Sequence, residues 1–180
     1  MLRRSIPKAV FMVPTKLTMA DILARPLAPD QAALWALGQA GALVRAGGLT
    51  VVIDPYLSDS VGAVSPDFAR QIPVPLAPEE LQADVYLVTH DHMDHLDPDT
   101  LRQYKFIETT TFVAPRLTAA KLATYGIPED HILRVEAGDT REVCQGLTVT
   151  GIFALPTSTD ALDTAGYRLE FANGRSLYHT

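Results

Sequence analysis

Three histidines and two aspartates lie within the six residues 90–95, and four of these side chains are the candidate metal ligands: His90, His92, Asp94 and His95. They follow the apolar run 85–88, which is typical of a short buried strand. Side chains two residues apart in an extended segment point the same way, so His90 and His92 are predicted to contact one ion from one side. Imidazole and carboxylate donors suit Zn²⁺, Fe²⁺ or Mn²⁺. We therefore predict a divalent metal site with these four residues as ligands.

The connection that follows is predicted to aim two of these donors at the same place. Asp97-Pro98 indicates a helix start, with an aspartate N-cap and proline at the first helical position. Asp94 and His95 then lie in a tight strand-to-helix connection. Asp94 is also the candidate catalytic residue, which either binds the metal or orients the attacking water and accepts its proton. A histidine-rich surface loop is the alternative, but the order His-x-His-x-Asp-His after a strand is more specific than scattered histidines. One or two ions would both fit.

Composition limits the class of protein and its partners. The chain has 180 residues, enough for one domain with a core, and its 15 basic and 21 acidic residues give a net charge of −6. This charge argues weakly against nucleic acid as a substrate. The single cysteine, Cys144, excludes a Cys-rich metal site and an intrachain disulfide. No apolar run approaches the ~20 residues of a membrane span, and the basic start lacks a signal-like apolar core. We expect a cytoplasmic protein with a small-molecule substrate that binds neither nucleic acid nor membranes.

The pattern of apolar runs predicts an α+β domain. Residues 1–30 are predicted to be an N-terminal extension with one helix, and residues 31–180 form the domain. Gly47-Gly48 is predicted to be a hairpin turn in an antiparallel meander. The proline-rich stretch 56–82 is predicted to be a long loop near the site. The later alternation of helices and strands fits a mixed sheet with helices on one face. The predicted helices are 19–24, 98–104 and 116–125, and the predicted strands are 33–37, 42–46, 49–53, 111–114, 132–135, 148–153, 167–171 and 176–179, the last two joined at Asn173-Gly174.

One further carboxylate, Asp54, ends the third predicted strand directly before Pro55. It would lie near His90 if its strand and the strand before the motif are neighbours in the sheet. A turn aspartate before proline explains Asp54 equally well from the residues alone.

His90-x-His92-x-Asp94-His95 resembles the signature of the metallo-β-lactamase fold hydrolases, metal-dependent enzymes with a four-layered αββα domain. Within that fold, the chain is similar to the L-ascorbate-6-phosphate lactonase group. The resemblance implies an αββα sandwich and one or two divalent ions, zinc or manganese, with iron possible. It also implies that Asp54 supports a metal-binding histidine from behind, without binding the metal itself. The segments that carry the likeness are 34–38, 89–96, 135–139 and 174–179.

The resemblance covers the N-terminal half of such a domain. In the lactonase group the segment equivalent to 174–179 leads into a Gly-Asp pair whose aspartate binds metal, whereas this sequence ends at Thr180. We expect a further C-terminal segment or a second copy to complete the domain, because half of it would leave one sheet face exposed to water. The ligand histidine that many relatives place between His131 and His179 is absent. Asp160 or Asp163 could supply an oxygen ligand there, although water-facing loop carboxylates are the simpler interpretation, and His131 is predicted to lie in a turn.

The resemblance implies a metal-dependent, lactonase-like hydrolase that acts on a small lactone or related ester, such as a sugar-acid lactone, through metal-bound hydroxide. Two alternatives stay open. A phosphodiesterase or nuclease of the same fold is disfavoured by the lack of excess basic charge. A truncated or degenerate domain could instead bind metal without turnover and serve as an interaction module.

Overall fold

Two sheets packed face to face form the centre of the computed structural model, which describes residues 16–155 and 163–180. The first sheet contains β1 (Ala32–Gly38), β2 (Gly41–Ala46), β3 (Leu49–Ile53), β4 (Val85–Leu87), β5 (Thr111–Ala114) and β6 (Ile132–Arg134). The second contains β7 (Thr140–Cys144), β8 (Leu147–Phe153), β9 (Ala165–Phe171) and β10 (Ser176–His179). The helices are α1 (Met19–Ala24), α2 (Ser60–Val64), α3 (Pro98–Gln103) and α4 (Arg116–Thr124).

The first sheet is mixed, and its strand order follows the chain from β1 to β6. β1, β2 and β3 form the predicted antiparallel meander, and Gly47 and Gly48 take φ values of 59° and 84°, as a two-residue hairpin turn requires. β3, β4, β5 and β6 then run parallel. Ile53 pairs with Leu87, so the residues that follow β3 and β4 emerge side by side at one sheet edge.

The second sheet is antiparallel, with the order β10-β9-β8-β7, and its apolar face packs on the first sheet. Alternate residues of β8 and β9 are buried in this interface, whereas the intervening positions carry mostly polar side chains such as Thr148, Arg168 and Glu170. This alternation is the period of a strand with one buried face. The largest buried apolar residues between the sheets are Ile53, Leu87, Leu147, Tyr167, Leu169 and Phe171.

Helices cover the other face of the first sheet. Leu101 of α3 and Leu122 of α4 pack there with Tyr86 and Phe112 from the strands, and Ile22 of α1 joins the same core. The layers are therefore helix, sheet and sheet, which confirms the predicted α+β class and the mixed sheet with helices on one face. The described residues form no helical layer on the second sheet.

Several local predictions are confirmed, and others need correction. Helix α1, the proline-led start of α3, helix α4 and the β9–β10 hairpin lie where the sequence places them. The stretch 56–82 is not a plain loop, because it contains α2 and two short 3-10 turns. The predicted exposed apolar sheet face is also absent from the described chain, since the two sheets cover each other. Strand β7 was missed because its sequence, Thr140–Cys144, is mainly polar.

No helix within residues 16–155 and 163–180 has the length and apolar character that crossing a bilayer demands.

Candidate metal centre

The motif residues occupy a tight turn directly after β4. The amides of His95 and Leu96 both donate to the carbonyl oxygen of His92, over 3.0 and 2.8 Å. The extended backbone predicted for His90 and His92 is therefore wrong: residues 89–96 bend and turn, and the turn itself gathers the side chains. α3 starts immediately afterwards, where the carboxylate of Asp97 accepts the amide of Asp99 over 3.1 Å.

Three imidazole rings lie together at this turn. The ring centroids of His90 and His92 are 4.7 Å apart, and those of His90 and His95 are 3.9 Å apart. Nε2 of His90 lies 3.1 Å from Nδ1 of His92. Two ligands of a tetrahedral ion, each about 2.1 Å from it, are about 3.4 Å apart, so this nitrogen pair has close to the spacing that a shared cation needs.

Asp54 lies behind the rings, fully buried, at the end of β3. Its Oδ1 accepts the amide of Thr89 over 2.8 Å, and its Oδ2 accepts the hydroxyl of Thr89 over 2.7 Å and Nδ1 of His95 over 2.8 Å. The parallel pairing of β3 with β4 brings it there, as the sequence anticipated. Its φ of 44° is rare for a residue with a side chain and is held by these bonds.

Hydrogen bonding keeps Asp54 ionised despite its burial. Burial alone would raise the pKa of Asp54, but contacts from His179, His95 and Thr89 outweigh it and hold that pKa far below its ordinary value. Burial likewise favours a lower pKa for His95, yet the Asp54 carboxylate raises it. Asp54 therefore fixes Nδ1 of His95 as a donor and leaves Nε2 as the ring atom for a metal.

The hydroxyl of Thr89 extends this ordering to His90. Because Thr89 donates its proton to Asp54, its oxygen accepts from Nδ1 of His90 over 3.0 Å. We assign the Nδ1–H tautomer to His90 on this network, which leaves Nε2 as an acceptor. Burial, and then the charge of His95, lowers the pKa of His90 to about 4. His90 is thus neutral at neutral pH, as a metal ligand must be.

The four predicted ligands form two pairs. His90 and His92 provide one pair, and Nε2 of His95 lies 3.9 Å from a carboxylate oxygen of Asp94 to provide the other. Within the part of the chain that the structure describes, no three histidine, cysteine, aspartate or glutamate side chains surround a single point. The donor types and tautomers fit divalent ions, whereas the convergence of all four donors on one cation is not observed.

His179, on β10, is a site residue that sequence reasoning did not assign. Its buried Nε2 lies 3.5 Å from Oδ2 of Asp54, a longer and weaker contact than the 2.8 Å bond from His95. This contact with the carboxylate places His179 behind the centre, where it helps to keep Asp54 ionised. One sequence feature pointed to His179, namely its place in segment 174–179, which carries part of the family likeness. Its approach to Asp54 depends on the packing of the two sheets.

Neighbouring elements hold the motif from two sides. The hydroxyl of Tyr167 donates to the carbonyl of Val88 over 2.8 Å, and the amide of Ala165 donates to the carbonyl of Thr89 over 3.0 Å. From α4, Nζ of Lys121 donates to both the carbonyl and the carboxylate of Asp91, each over 3.0 Å. The backbone that carries the histidines is therefore tied to β9 and to α4.

Asp163, which the sequence offered as a further oxygen ligand for the metal, has a different role in the structure. Asp163 caps α4, because its Oδ2 accepts the amides of Leu117 and Thr118 over 2.6 and 3.0 Å. The interpretation of Asp163 as a water-facing carboxylate therefore needs correction. Asp160 lies outside the described residues. His131 bonds through Nδ1 to the carbonyl of Thr110 over 3.2 Å, as a turn residue away from the motif.

A cavity of about 1000 Å³ lies over these groups. His90, His92, Asp94 and His95 line it together with Asp54, Thr89 and His179. Apolar side chains from α2, the following 3-10 turn and the end of β8 complete its wall.

Residues 50–180 match the β-lactamase superfamily domain, and this range contains all of β3 except its first residue, the motif and the whole second sheet. The chain belongs to the metallo-β-lactamase superfamily. The matched range contains Asp54 and the histidine-aspartate turn, so the candidate centre lies within the metallo-β-lactamase domain.

Curated relatives are between 26% and 33% identical to this chain over the aligned segments. A UPF0173 metal-dependent hydrolase of Saccharolobus solfataricus is 31% identical over 149 residues, which cover 79% of this chain and 58% of the relative. An uncharacterized protein of Mycobacterium tuberculosis is 33% identical over 110 residues, which cover 59% of this chain and 29% of the relative. A mitochondrial N-acyl-phosphatidylethanolamine-hydrolyzing phospholipase D of Saccharomyces cerevisiae is 26% identical over 122 residues, which cover 67% of this chain and 25% of the relative. The chain thus spans between about a quarter and three fifths of these relatives.

Solved structures share the metallo-β-lactamase fold at lower identity. An isothiocyanate hydrolase from Delia radicum gut bacteria gives a TM-score of 0.63 at 21% identity and covers 82% of this chain and 61% of its own. A diiron β-hydroxylase from Streptomyces venezuelae gives a TM-score of 0.60 at 20% identity, and the match covers 86% of this chain and 30% of the hydroxylase. These likenesses show the fold alone.

Proposed function

We propose that this chain carries the metal-binding part of a metal-dependent hydrolase whose substrate is a small lactone or related ester. One observation supports the proposal above others: Asp54 and Thr89 order the rings of His90 and His95 so that Nε2 of each is left for a metal at the cavity. In an ordinary histidine-rich surface loop, we would not expect a fully buried carboxylate to orient the imidazole rings.

The residues that would hold the metal are His90, His92, Asp94 and His95. Zn²⁺ or Mn²⁺ fits imidazole and carboxylate donors, and Fe²⁺ fits them as well. A divalent ion bound there would supply acidified water and polarisation of a substrate carbonyl at neutral pH. Asp94, with about a third of its side chain exposed, is placed to orient the attacking water or to accept its proton. The metal-dependent hydrolase among the curated relatives is consistent with this chemistry.

Neither donor pair is a complete set of metal ligands within the described residues. Catalytic zinc sites commonly use three protein ligands, whereas each pair here has two. We propose that a further C-terminal segment or a second copy of the chain supplies the remaining donors. The greater length of the curated relatives supports this proposal.

A second candidate is phosphodiester hydrolysis at the same site. The 26% identity to a phospholipase D, an enzyme named for cleaving a phospholipid, favours it. Against it stands the net charge of −6, which offers no general attraction to a polyanion such as nucleic acid. The two candidates use the same metal donors and differ in the substrate.

The test compares both substrate types on zinc-loaded and manganese-loaded protein in the form that includes the completing segment or second copy. We expect turnover of a γ-lactone or p-nitrophenyl acetate, abolition by chelation, and loss in the His92→Ala variant, with His131→Ala as the matched control. Preferential turnover of bis-p-nitrophenyl phosphate would favour the phosphodiesterase. Equal turnover by wild type and His92→Ala would overturn the assignment of the site.

A further inference from the structure

Large apolar side chains are exposed around the cavity that holds the metal donors. Phe68 is 67% exposed, Phe153 is 71% exposed and Leu155 is 78% exposed, and all three line this cavity together with Val61. Exposed apolar side chains scattered singly need no explanation, but a group of them around a polar floor is typical of a binding site.

Two separately anchored elements present these side chains. Phe153 continues the inward-facing positions of β8, since it pairs with Ala165 in the same register in which Leu147 pairs with Phe171. It therefore extends the apolar face of the second sheet beyond the core and into the cavity. Its exposure arises from its place at the end of the strand.

Phe68 belongs to the 3-10 turn Pro66–Phe68 on the opposite element. The turn is anchored by Arg70, whose amide donates to the carboxylate of Asp59 over 3.0 Å and whose guanidinium donates to the carbonyl of Leu37 over 2.7 Å. An anchored turn holds Phe68 over the cavity at a fixed place. Phe68 and Phe153 therefore provide apolar contacts from two independent elements.

Within residues 16–155 and 163–180, no lysine or arginine lines this cavity, so this part of the chain offers no permanently charged cation to a negatively charged substrate. Lys121 is paired with Asp91, and Arg70 bonds to main-chain carbonyls. The carboxylates of Asp54 and Asp94 add negative charge. Among the described lining residues, a phosphate or carboxylate on the substrate would therefore meet no lysine or arginine.

We propose that the site takes a neutral ester or lactone that bears an alkyl chain, with the reactive carbonyl at the metal donors and the chain against Phe68, Phe153 and Leu155. The proposal rests on the proposed function and specifies its substrate class. The volume of about 1000 Å³ lies at the upper end for small-molecule sites, so it accommodates more than a small sugar-acid lactone.

Binding of neutral alkyl amides to the protein without added metal tests the proposal apart from turnover. We expect the Kd for the series from acetamide to octanamide to fall about two- to fourfold for each added methylene, as burial of apolar surface predicts. Octanamide should bind roughly tenfold more weakly to Phe68→Ala and to Phe153→Ala. Leu34→Ala is the matched control, because Leu34 is 55% exposed but lies on β1 outside this cavity.

Turnover of p-nitrophenyl esters from acetate to octanoate by the metal-loaded protein gives the second readout. Selective binding of long amides with no ester turnover would sustain the alkyl site and contradict the proposed hydrolase. Turnover without any dependence on chain length, or equal affinity for acetamide and octanamide, would overturn the proposal that the cavity binds an alkyl chain. It would leave the proposed hydrolase activity unaffected. Loss of self-association in Phe68→Ala, with no amide binding to wild type, would identify an interface between copies and would also overturn it.

Discussion

The buried carboxylate of Asp54 is the residue on which the geometry of the centre depends. It accepts three hydrogen bonds, two from Thr89 and one from His95, and its backbone takes a φ value that few non-glycine residues adopt. A buried charge is stable when its partners are complete, and removal of one member leaves the others unpaired. The residue therefore links folding to the orientation of His95.

We expect Asp54→Asn to lower the free energy of unfolding by about 3 kcal/mol, because the amide replaces an ionised acceptor for Thr89 and His95. Urea unfolding monitored by circular dichroism measures the change. Asp30→Asn is the control, since the Asp30 side chain is 78% exposed, and it should change stability by less than about 0.5 kcal/mol. Equal stability of Asp54→Asn and wild type would contradict this role.

The imidazole of His179 is expected to support the centre through Asp54. His179→Ala should fold normally but lower metal affinity by about tenfold, as happens when groups behind metal ligands are removed. His179→Gln should recover part of the affinity, because its amide can again contact the carboxylate. Competition with a chromophoric chelator measures the affinity, and an unchanged value in His179→Ala, as expected for the His131→Ala control, would exclude the role.

Sequence reasoning located the residues that are close in the chain more easily than those brought together by folding. The spacing of His90, His92, Asp94 and His95 predicted donors, and the end of β3 drew attention to Asp54. Thr89 is adjacent to the motif, but its shared hydrogen bonds need the β3–β4 pairing to be known. The position of His179 depends on how the second sheet packs on the first, and no local pattern encodes that packing.

At the scale of elements, parallel pairing of β3 and β4 positions the site, and α4 and β9 hold it in place. Strong local signals made most of these elements predictable: the Gly47-Gly48 turn, the Asp97-Pro98 helix start and the Asn173-Gly174 hairpin. β7 lacks such a signal, because its polar residues pair with β8 mainly through backbone bonds. The motif backbone was mispredicted as extended because its turn is closed by main-chain bonds to His92, which residue types do not indicate.

The cap on α4 should stabilise this helix measurably. Asp163→Ala removes the acceptor for two amides at the helix start, so we expect a loss of about 1 kcal/mol in the free energy of unfolding. Asp130→Ala removes an exposed carboxylate elsewhere and should have little effect. Chemical denaturation compares the two, and equal stabilities would show that the cap contributes nothing.

The contact between α4 and the motif should affect metal binding more than stability. The Lys121–Asp91 pair is about one third exposed, so Lys121→Met should change the free energy of unfolding by less than about 1 kcal/mol. The motif would lose its anchor, and we expect metal affinity to fall several-fold. Arg168→Met breaks the Arg168–Glu170 pair on the outer face of the second sheet as a control. If both variants bind metal as wild type does, the anchor has no functional role.

At the scale of the molecule, two sheets share one apolar interior and helices cover one outer face. The sequence predicted the fold class because its alternating elements and its motif agree with one another. It did not predict that the closing strands already cover the first sheet, since pairing between distant strands is not visible in local patterns. The histidines of the motif and the exposed side chains of Phe68, Phe153 and Leu155 line one cavity at one end of this arrangement, and we propose this cavity as the functional centre.

The central claim is that the turn after β4 binds a divalent metal through its histidines. Titration of the metal-free protein with Co²⁺, followed by visible absorption and then by displacement with Zn²⁺, tests it most directly. We predict saturable bands from nitrogen and oxygen ligands that disappear in the double variant His90→Ala/His92→Ala and persist in His131→Ala. Absence of saturable binding, or identical spectra from the wild type and the double variant, would contradict the account.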